Sequence, residues 1–239
     1  MPPPSKPSSP QKASSKAASN KPASSKKPSP QNPWTQRQAR DPFVLKAKKE
    51  GYIARSAYKL VEMDDRYHLL KPGQRLLDLG AAPGGWCQVV LQRVRPQDTG
   101  GLLIALDLLE MAEFPGVRTL QGDIGDPAMV RQILDILNGG RVDGILSDMA
   151  PNTSGHPDLD HLKIMALVEE ALELAHDCLA AGGFFLVKIF QGSDAMPFKV
   201  ELQKRFRQVD FVKPEASRRE SREIYLLARD FTAPRLTSP

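Results

Sequence analysis

The chain has 239 residues, 41% of them apolar, with 33 Lys and Arg against 28 Asp and Glu for a formal net charge of +5. That is room for one domain plus extensions, with apolar residues enough for a real core. No apolar run approaches the about eighteen residues of a membrane helix, no h-region marks a secretory leader, and Cys87 and Cys178 match no metal or redox spacing, so a cytoplasmic protein with two inert thiols is expected.

The charge is unevenly spread. Residues 1–40 hold six Lys, two Arg and no acid, which leaves 25 basic against 28 acidic residues in 41–239. Residues 1–30 are almost wholly Ser, Pro, Lys and Ala; they cannot bury a core, and a disordered tail over 1–40 is expected ahead of one folded domain at 41–239. Within that domain 41–75 carries eight bases against five acids, 199–229 nine against five, and the stretch between seven against seventeen. Two basic flanks around an acidic centre suit a protein that holds an anionic polymer at its rim, although ordinary surface charge gives the same totals.

After Asp41 the pattern changes. In IARSAYKLVEMDDRYHLL (53–70), Ala57, Leu60 and Val61 recur at helical spacing, and Lys71-Pro72-Gly73 turns the chain. Strands are expected at 75–81, 101–108, 117–122, 142–148, 183–190, 208–213 and 223–229, with helices at 84–94, 127–138, 159–181 and 195–207. The 159–181 helix puts Leu162, Met165, Val168, Leu172, Ala175 and Leu179 on one face, and Gly182-Gly183 ends it. Strands alternating with helices mean an α/β fold: a mostly parallel sheet of seven strands flanked by helices.

LLDLGAAPGGW (76–86) reads as an apolar strand, a glycine-rich turn and a helix start. In such a fold the turn lies at the carboxyl edge of the sheet, where ligands bind. Gly80, Gly84 and Gly85 allow close backbone approach, but the spacing is not G-x-G-x-x-G, so the dinucleotide fingerprint is absent. Asp107, Asp123 and Asp148 fall at the ends of the second, third and fourth strands, and Asp78 within the first. An acid at the second strand's end can accept from ribose hydroxyls. Each alone could cap a helix, as Asp126 before Pro127 is expected to. Four so placed make a negative pocket that suits a nucleoside bearing positive charge, such as S-adenosylmethionine, and disfavours a diphosphate.

FFLVKIF (184–190) poses a further question, because Lys188 interrupts an otherwise apolar strand. Burying it costs several kcal/mol, on the order of what any unpaired interior charge costs. The fifth strand lies beside the fourth, so Lys188 and Asp148 can reach one cleft. A lysine desolvated beside a second cation is able to act as a base or to hold a hydroxyl for attack. Lys59 is a candidate second cation, but spacing does not show that Lys59 or Glu223 reaches the cleft.

ARSAYKL, DLGAAPGGW, SDMAPNTSG, VKIFQG and SRESREIYLLA occur in an order and context that resemble the FtsJ-like (RrmJ) RNA ribose 2′-O-methyltransferases. The resemblance runs from about Asp41 to Ala228 and is most marked for the bacterial large-subunit rRNA methyltransferase E subfamily. It implies a Rossmann-like, S-adenosylmethionine-dependent methyltransferase fold. It implies a catalytic set of Lys59, Asp148, Lys188 and Glu223, with Lys188 taking or steering the proton of a 2′-hydroxyl that attacks the methyl of the sulfonium. It implies S-adenosylmethionine contacts at Gly84, Trp86, Asp107, Asp123 and Asp148. It also implies a monomer that needs no metal and acts on a uridine of 23S rRNA, in the A-loop region, within the 50S subunit. Lys59, Glu223 and Trp86 rest on this resemblance alone.

GHPDLDH (155–161) gathers His156, Asp158, Asp160 and His161, a metal site on paper; a loop with helix-capping acids is the plainer reading. Arg218, Arg219 and Arg222, with Lys46, Lys48, Lys49 and Arg55, could line an RNA track. Three other readings stay open: a 2′-O-methyltransferase for tRNA or an mRNA cap, a nucleoside- or RNA-binding module without catalysis, and a nicotinamide oxidoreductase, which the missing fingerprint disfavours.

Overall fold

The computed structural model describes residues 41–151, 154–218 and 220–232. The tail expected over 1–40 lies outside them. Among the described residues one sheet holds β1 (Arg75–Leu79), β2 (Leu102–Asp107), β3 (Val117–Gln121), β4 (Val142–Ser147), β5 (Leu179–Phe190), β6 (Phe206–Val212) and β7 (Glu223–Phe231). Its order is β3-β2-β1-β4-β5-β7-β6. The first five strands pair in parallel; β7 inserts antiparallel between β5 and β6. The helices are α1 (Pro42–Glu50), α2 (Ala57–Tyr67), α3 (Gly85–Val94), α4 (Pro96–Thr99), α5 (Pro127–Leu137), α6 (Pro157–Cys178) and α7 (Ala195–Gln203). None is long and apolar enough to cross a membrane.

Successive strand residues point to opposite faces, and here both faces are covered. Leu77, Leu79, Ile104 and Ile145 pack with α5, α6 and α7; Leu76, Leu103, Leu146 and Leu186 pack with α2 and α3. Burial on both sides is why these strands read as near-continuous apolar runs. Local chemistry sets the helix ends. Asp126 caps α5 by accepting from Ala128 N at 2.8 Å, with Pro127 at the first helical position, as its sequence suggests.

The structure corrects several boundaries. α1 was not anticipated, because PFVLKAKKE buries only Ala47 and shows little apolar period. Its ends are nonetheless specified, by Asp41 accepting from Phe43 N and by Gly51 at φ 81°. α6 stops at Cys178, so Leu179 opens β5 instead of closing the helix. Gly182, at φ 78°, sits in a bulge where the pairing steps from Val142–Leu179 to Gly144–Phe184; its conformational freedom serves the strand. Leu162 is 62% exposed, while Met165, Val168, Leu172 and Ala175 form the buried stripe. β6 begins at Phe206, where the expected helix to 207 would continue, because the Phe206 ring packs on Phe185 and Phe231 at centroid distances of 6.3 and 5.1 Å.

Phe185 is fully buried in that packing. Phe185→Ala is expected to lower the unfolding free energy by about 3–5 kcal/mol. Urea denaturation checks this, and a loss below about 1 kcal/mol would contradict the packing described.

Candidate functional site

Two strand ends and one helix converge on Asp148. β4 pairs with β5 through Ser147 and Val187, which sets Asp148 and Lys188 side by side at the carboxyl edge. Lys188 is 4% exposed. Its Nζ donates to the Asp148 backbone O at 2.7 Å and lies 3.0 Å from Oδ1. From α2, Lys59 Nζ stands 3.3 Å from Glu223 Oε2 and 3.6 Å from Asp148 Oδ1. The structure therefore brings Lys59, Asp148, Lys188 and Glu223 into one contact network.

Tyr225, which the sequence reading missed, is the fifth member. It pairs with Lys188 across β5 and β7, and its hydroxyl donates to Asp148 Oδ1 at 2.6 Å. Its ring lies 5.9 Å from that of Trp86, and Lys59 Nζ is 5.6 Å from its centroid. Its position two residues after Glu223 puts it on the same strand face, the one available signal. Burial alone would raise the Asp148 carboxyl; Lys188, Lys59 and the Tyr225 hydroxyl outweigh it and hold the group below the usual carboxylate range. Burial drives the Tyr225 phenol well above its ordinary value, and the Asp148 charge adds to this. The lysine in the apolar strand is thus a paired charge.

Beside this network lies an acidic cleft of about 240 Å³ whose lining includes Gly80, Asp107, Leu109, Asp123, Asp148 and Met149. Gly80 has φ 75°, and a Cβ there would come within 2.7 Å of Met149 Cα. Asp107 accepts from Ala82 N and Leu109 N, each at 2.8 Å, and so ties the glycine turn to the end of β2. Asp123 is exposed and accepts from Gly125 N at 3.0 Å. Gly84 and Trp86 do not line the cleft. Gly84 is covered by the Phe114 ring, which a Cβ would meet at 2.4 Å. Trp86 is buried, with Nε1 donating to Ser56 O at 2.9 Å.

Asp78 lies beneath the turn, fully buried. It pairs with Ala105 and Leu146, one side-chain repeat before Asp107 and Asp148 on the same sheet face. Its Oδ2 accepts from the Cys87 thiol at 3.4 Å, and Oδ1 has no partner among the described residues. Burial raises its carboxyl to about 7, against the opposing Cys87 hydrogen bond and with Asp148 and Asp107 adding. Burial likewise pushes the Cys87 thiol up. Asp107, Asp123 and Asp148 on the cleft wall fit a ligand that brings positive charge.

A second cleft, about 340 Å³, is lined by Arg55, Ser56, Lys59, Arg218, Ser221 and Glu223, with Glu220 beside them. The network forms the wall common to both clefts: Asp148 lines the first, Lys59 and Glu223 the second. Of the expected basic track, Arg55 and Arg218 reach this cleft. Arg222 instead donates to Gln191 O at 2.7 Å and joins β7 to the end of β5. Lys46 lies over the Tyr58 ring at 4.4 Å, and Arg219 lies outside the described residues. The His/Asp cluster at the start of α6 is tied to other partners. Asp160 accepts from Ser154 N at 2.6 Å and Ser154 Oγ at 2.7 Å, and His161 Nε2 is 3.0 Å from Asp194. Among the described residues no such group could hold a metal ion.

The family model for FtsJ-like methyltransferases matches residues 52–231. The chain belongs to that family. It is 46% identical over 205 residues to the ribosomal RNA large subunit methyltransferase E of Rhodopseudomonas palustris, covering 86% of this chain and 87% of the relative. It is 46% identical over 198 residues to the protein of the same name from Azorhizobium caulinodans, covering 83% of this chain and 82% of the relative. Among solved structures, a ribosomal RNA methyltransferase from Plasmodium falciparum superposes with a TM-score of 0.69 at 33% identity, over 76% of this chain and all of that one. The sheet flanked by helices is therefore the fold of this methyltransferase family.

Asp78 generates a pH prediction. Its value is raised from 3.8 to about 7 in the folded chain. Between those values the folded chain holds a proton that the unfolded chain has lost. The stabilisation is complete below the unfolded value and is lost as pH rises through about 7. Asp78→Asn cannot ionise and escapes that loss. The unfolding free energy from urea titration is expected to shift in favour of the variant, relative to wild type, between about pH 5 and about pH 8, by a few kcal/mol at most. A difference between the two proteins that does not change with pH contradicts the assignment.

Proposed function

We propose that the chain transfers a methyl group from S-adenosylmethionine to a ribose 2′-hydroxyl of a uridine in 23S rRNA, in the A-loop region of the 50S subunit. The observation that carries this is Lys188, buried and doubly held by Asp148 where an acidic cleft meets a basic one. The relatives' names support the rRNA substrate. The acting unit is residues 41–239, working as a monomer.

S-adenosylmethionine, when bound, supplies a methyl on a sulfonium, activated for attack by a hydroxyl oxygen. Asp107, Asp123 and Asp148 would hold it in the acidic cleft, with Gly84 and Trp86 supporting the turn. An ammonium has three donors, and Asp148 occupies two of those of Lys188. The third N–H donates to the substrate hydroxyl oxygen and steers it toward the methyl; the free amine keeps the two bonds to Asp148 and takes the hydroxyl proton on its lone pair. Asp148, kept ionised by Lys188, Lys59 and Tyr225, orients Lys188. Glu223 fixes Lys59 against Asp148. Positioning of the nucleophile and control of one proton are the two demands of the step, and this network meets both.

The test is transfer of labelled methyl from S-adenosylmethionine to 50S subunits, free 23S rRNA, tRNA and a capped transcript. Label is expected in 23S rRNA of 50S subunits. Lys188→Ala is expected to lower transfer at least about 100-fold while S-adenosylmethionine binding, read by equilibrium titration, stays within a few-fold. Label only in tRNA or cap overturns the substrate. Cofactor binding without transfer to any of the four overturns the activity and leaves a binding module.

A further inference from the structure

The second cleft holds a guanidinium, that of Arg218, with no hydrogen bond to the described residues. Arg55 is already engaged: it donates to Asp41 Oδ2 from Nη1 and to Ala216 O from Nη2. Asp41 uses its other oxygen to cap Phe43 N at 3.0 Å. Arg218 reaches the same Asp41 oxygen only at 3.8 Å from Nε, and its side chain donates no hydrogen bond to any described residue. Two arginines thus share one carboxylate that the first already satisfies. Burial and the Arg218 charge both lower the Arg55 value, a sign of like charges held close.

The loop that carries Arg218 is set in advance. Both Glu62 oxygens accept from Ala216 N, at 3.1 and 3.2 Å, and Lys213 Nζ donates to Ser221 O at 2.9 Å. Ala216 is buried against Ala47 and Tyr58. Ser221 Oγ accepts from Glu223 N at 3.1 Å, and its own O–H donates to no described residue. A cleft of about 340 Å³ is the size that a small ligand fragment fills. A planar fork of five donors that makes no hydrogen bond to any described residue matches a phosphate's paired oxygens.

We propose that the second cleft is a phosphodiester subsite, where Arg218 and the Ser221 hydroxyl take the RNA backbone phosphate next to the ribose that Lys59 and Asp148 receive. The inference rests on the ribose-methylation reading above. Arg55 and Asp41 are positioning residues that hold Arg218 at the mouth. Glu220, exposed at the rim, opposes the phosphate and lowers affinity.

The experiment compares wild type, Arg218→Gln and Glu220→Gln, each as the full chain, in methyl transfer to whichever RNA the wild type accepts, over a range of salt. Arg218→Gln is expected to raise KM for RNA by about tenfold, with a smaller change in kcat and unchanged S-adenosylmethionine affinity. The dependence of log KM on log salt should become shallower by about one unit. Glu220→Gln is expected to lower KM, and being exposed it tests the same charge logic without disturbing packing. Unchanged KM and salt slope in both variants overturn the subsite while leaving methylation in place. A wild type that methylates no RNA overturns the reading on which the subsite rests.

Discussion

Two lysines and a carboxylate cannot leave water singly, and the structure is arranged so that they leave it together. Lys188 comes from β5, Asp148 from the end of β4, and Lys59 from α2. Each alone would be an uncompensated interior charge costing several kcal/mol, on the order of 3–5 when one partner is removed. Well-packed apolar residues often serve stability as well as a buried ion pair does. A charge network placed at the ligand-binding edge of a parallel sheet is therefore best understood through chemistry, and the rest of the fold can be seen as what holds it there. β7 matters most in this respect. Inserted antiparallel between β5 and β6, it brings Tyr225 opposite Lys188 and Glu223 opposite Phe190, so one strand supplies both the second donor to Asp148 and the acid that steadies Lys59.

The network also divides space. On one side Asp107, Asp123 and Asp148, at the ends of β2, β3 and β4, make a negative cleft; on the other, α2 and the loop before β7 make a cleft lined by three cations and two acids. A cationic nucleoside and an anionic polymer would each find complementary charge, and only the wall between the clefts is shared. The glycine turn contributes by close approach: a side chain at Gly80 would strike the backbone of Met149, which belongs to the segment carrying Asp148. Asp107 then fixes the turn from the β2 side.

Much of this was legible in the sequence for identifiable reasons. Alternating apolar strands and amphipathic helices announced the α/β sheet, since parallel strands buried on both faces must be apolar throughout. Asp107, Asp123 and Asp148 stood out because acids recur where that fold opens, and Lys188 because a charge inside an apolar run demands a partner. The partners were harder. Lys59 sits on a helix whose approach to the sheet edge depends on packing against α3, and Glu223 on a strand whose antiparallel insertion no local pattern encodes; only family resemblance pointed to them. Tyr225 reads as one more apolar strand residue in EIYLLAR until its hydroxyl is seen to donate to Asp148. Gly182-Gly183 misled in the other direction, because glycine ends helices and builds bulges with equal ease.

The central claim is that this network acts on a sugar hydroxyl. The most direct measurement is the chemical location of the methyl group in the product: the methylated RNA is digested to nucleosides, and each methylated nucleoside is fragmented by mass spectrometry to separate sugar from base. The account predicts that the added mass stays with the ribose. A methyl found on the base would contradict it, because Lys188 and Asp148 would then be serving a different nucleophile.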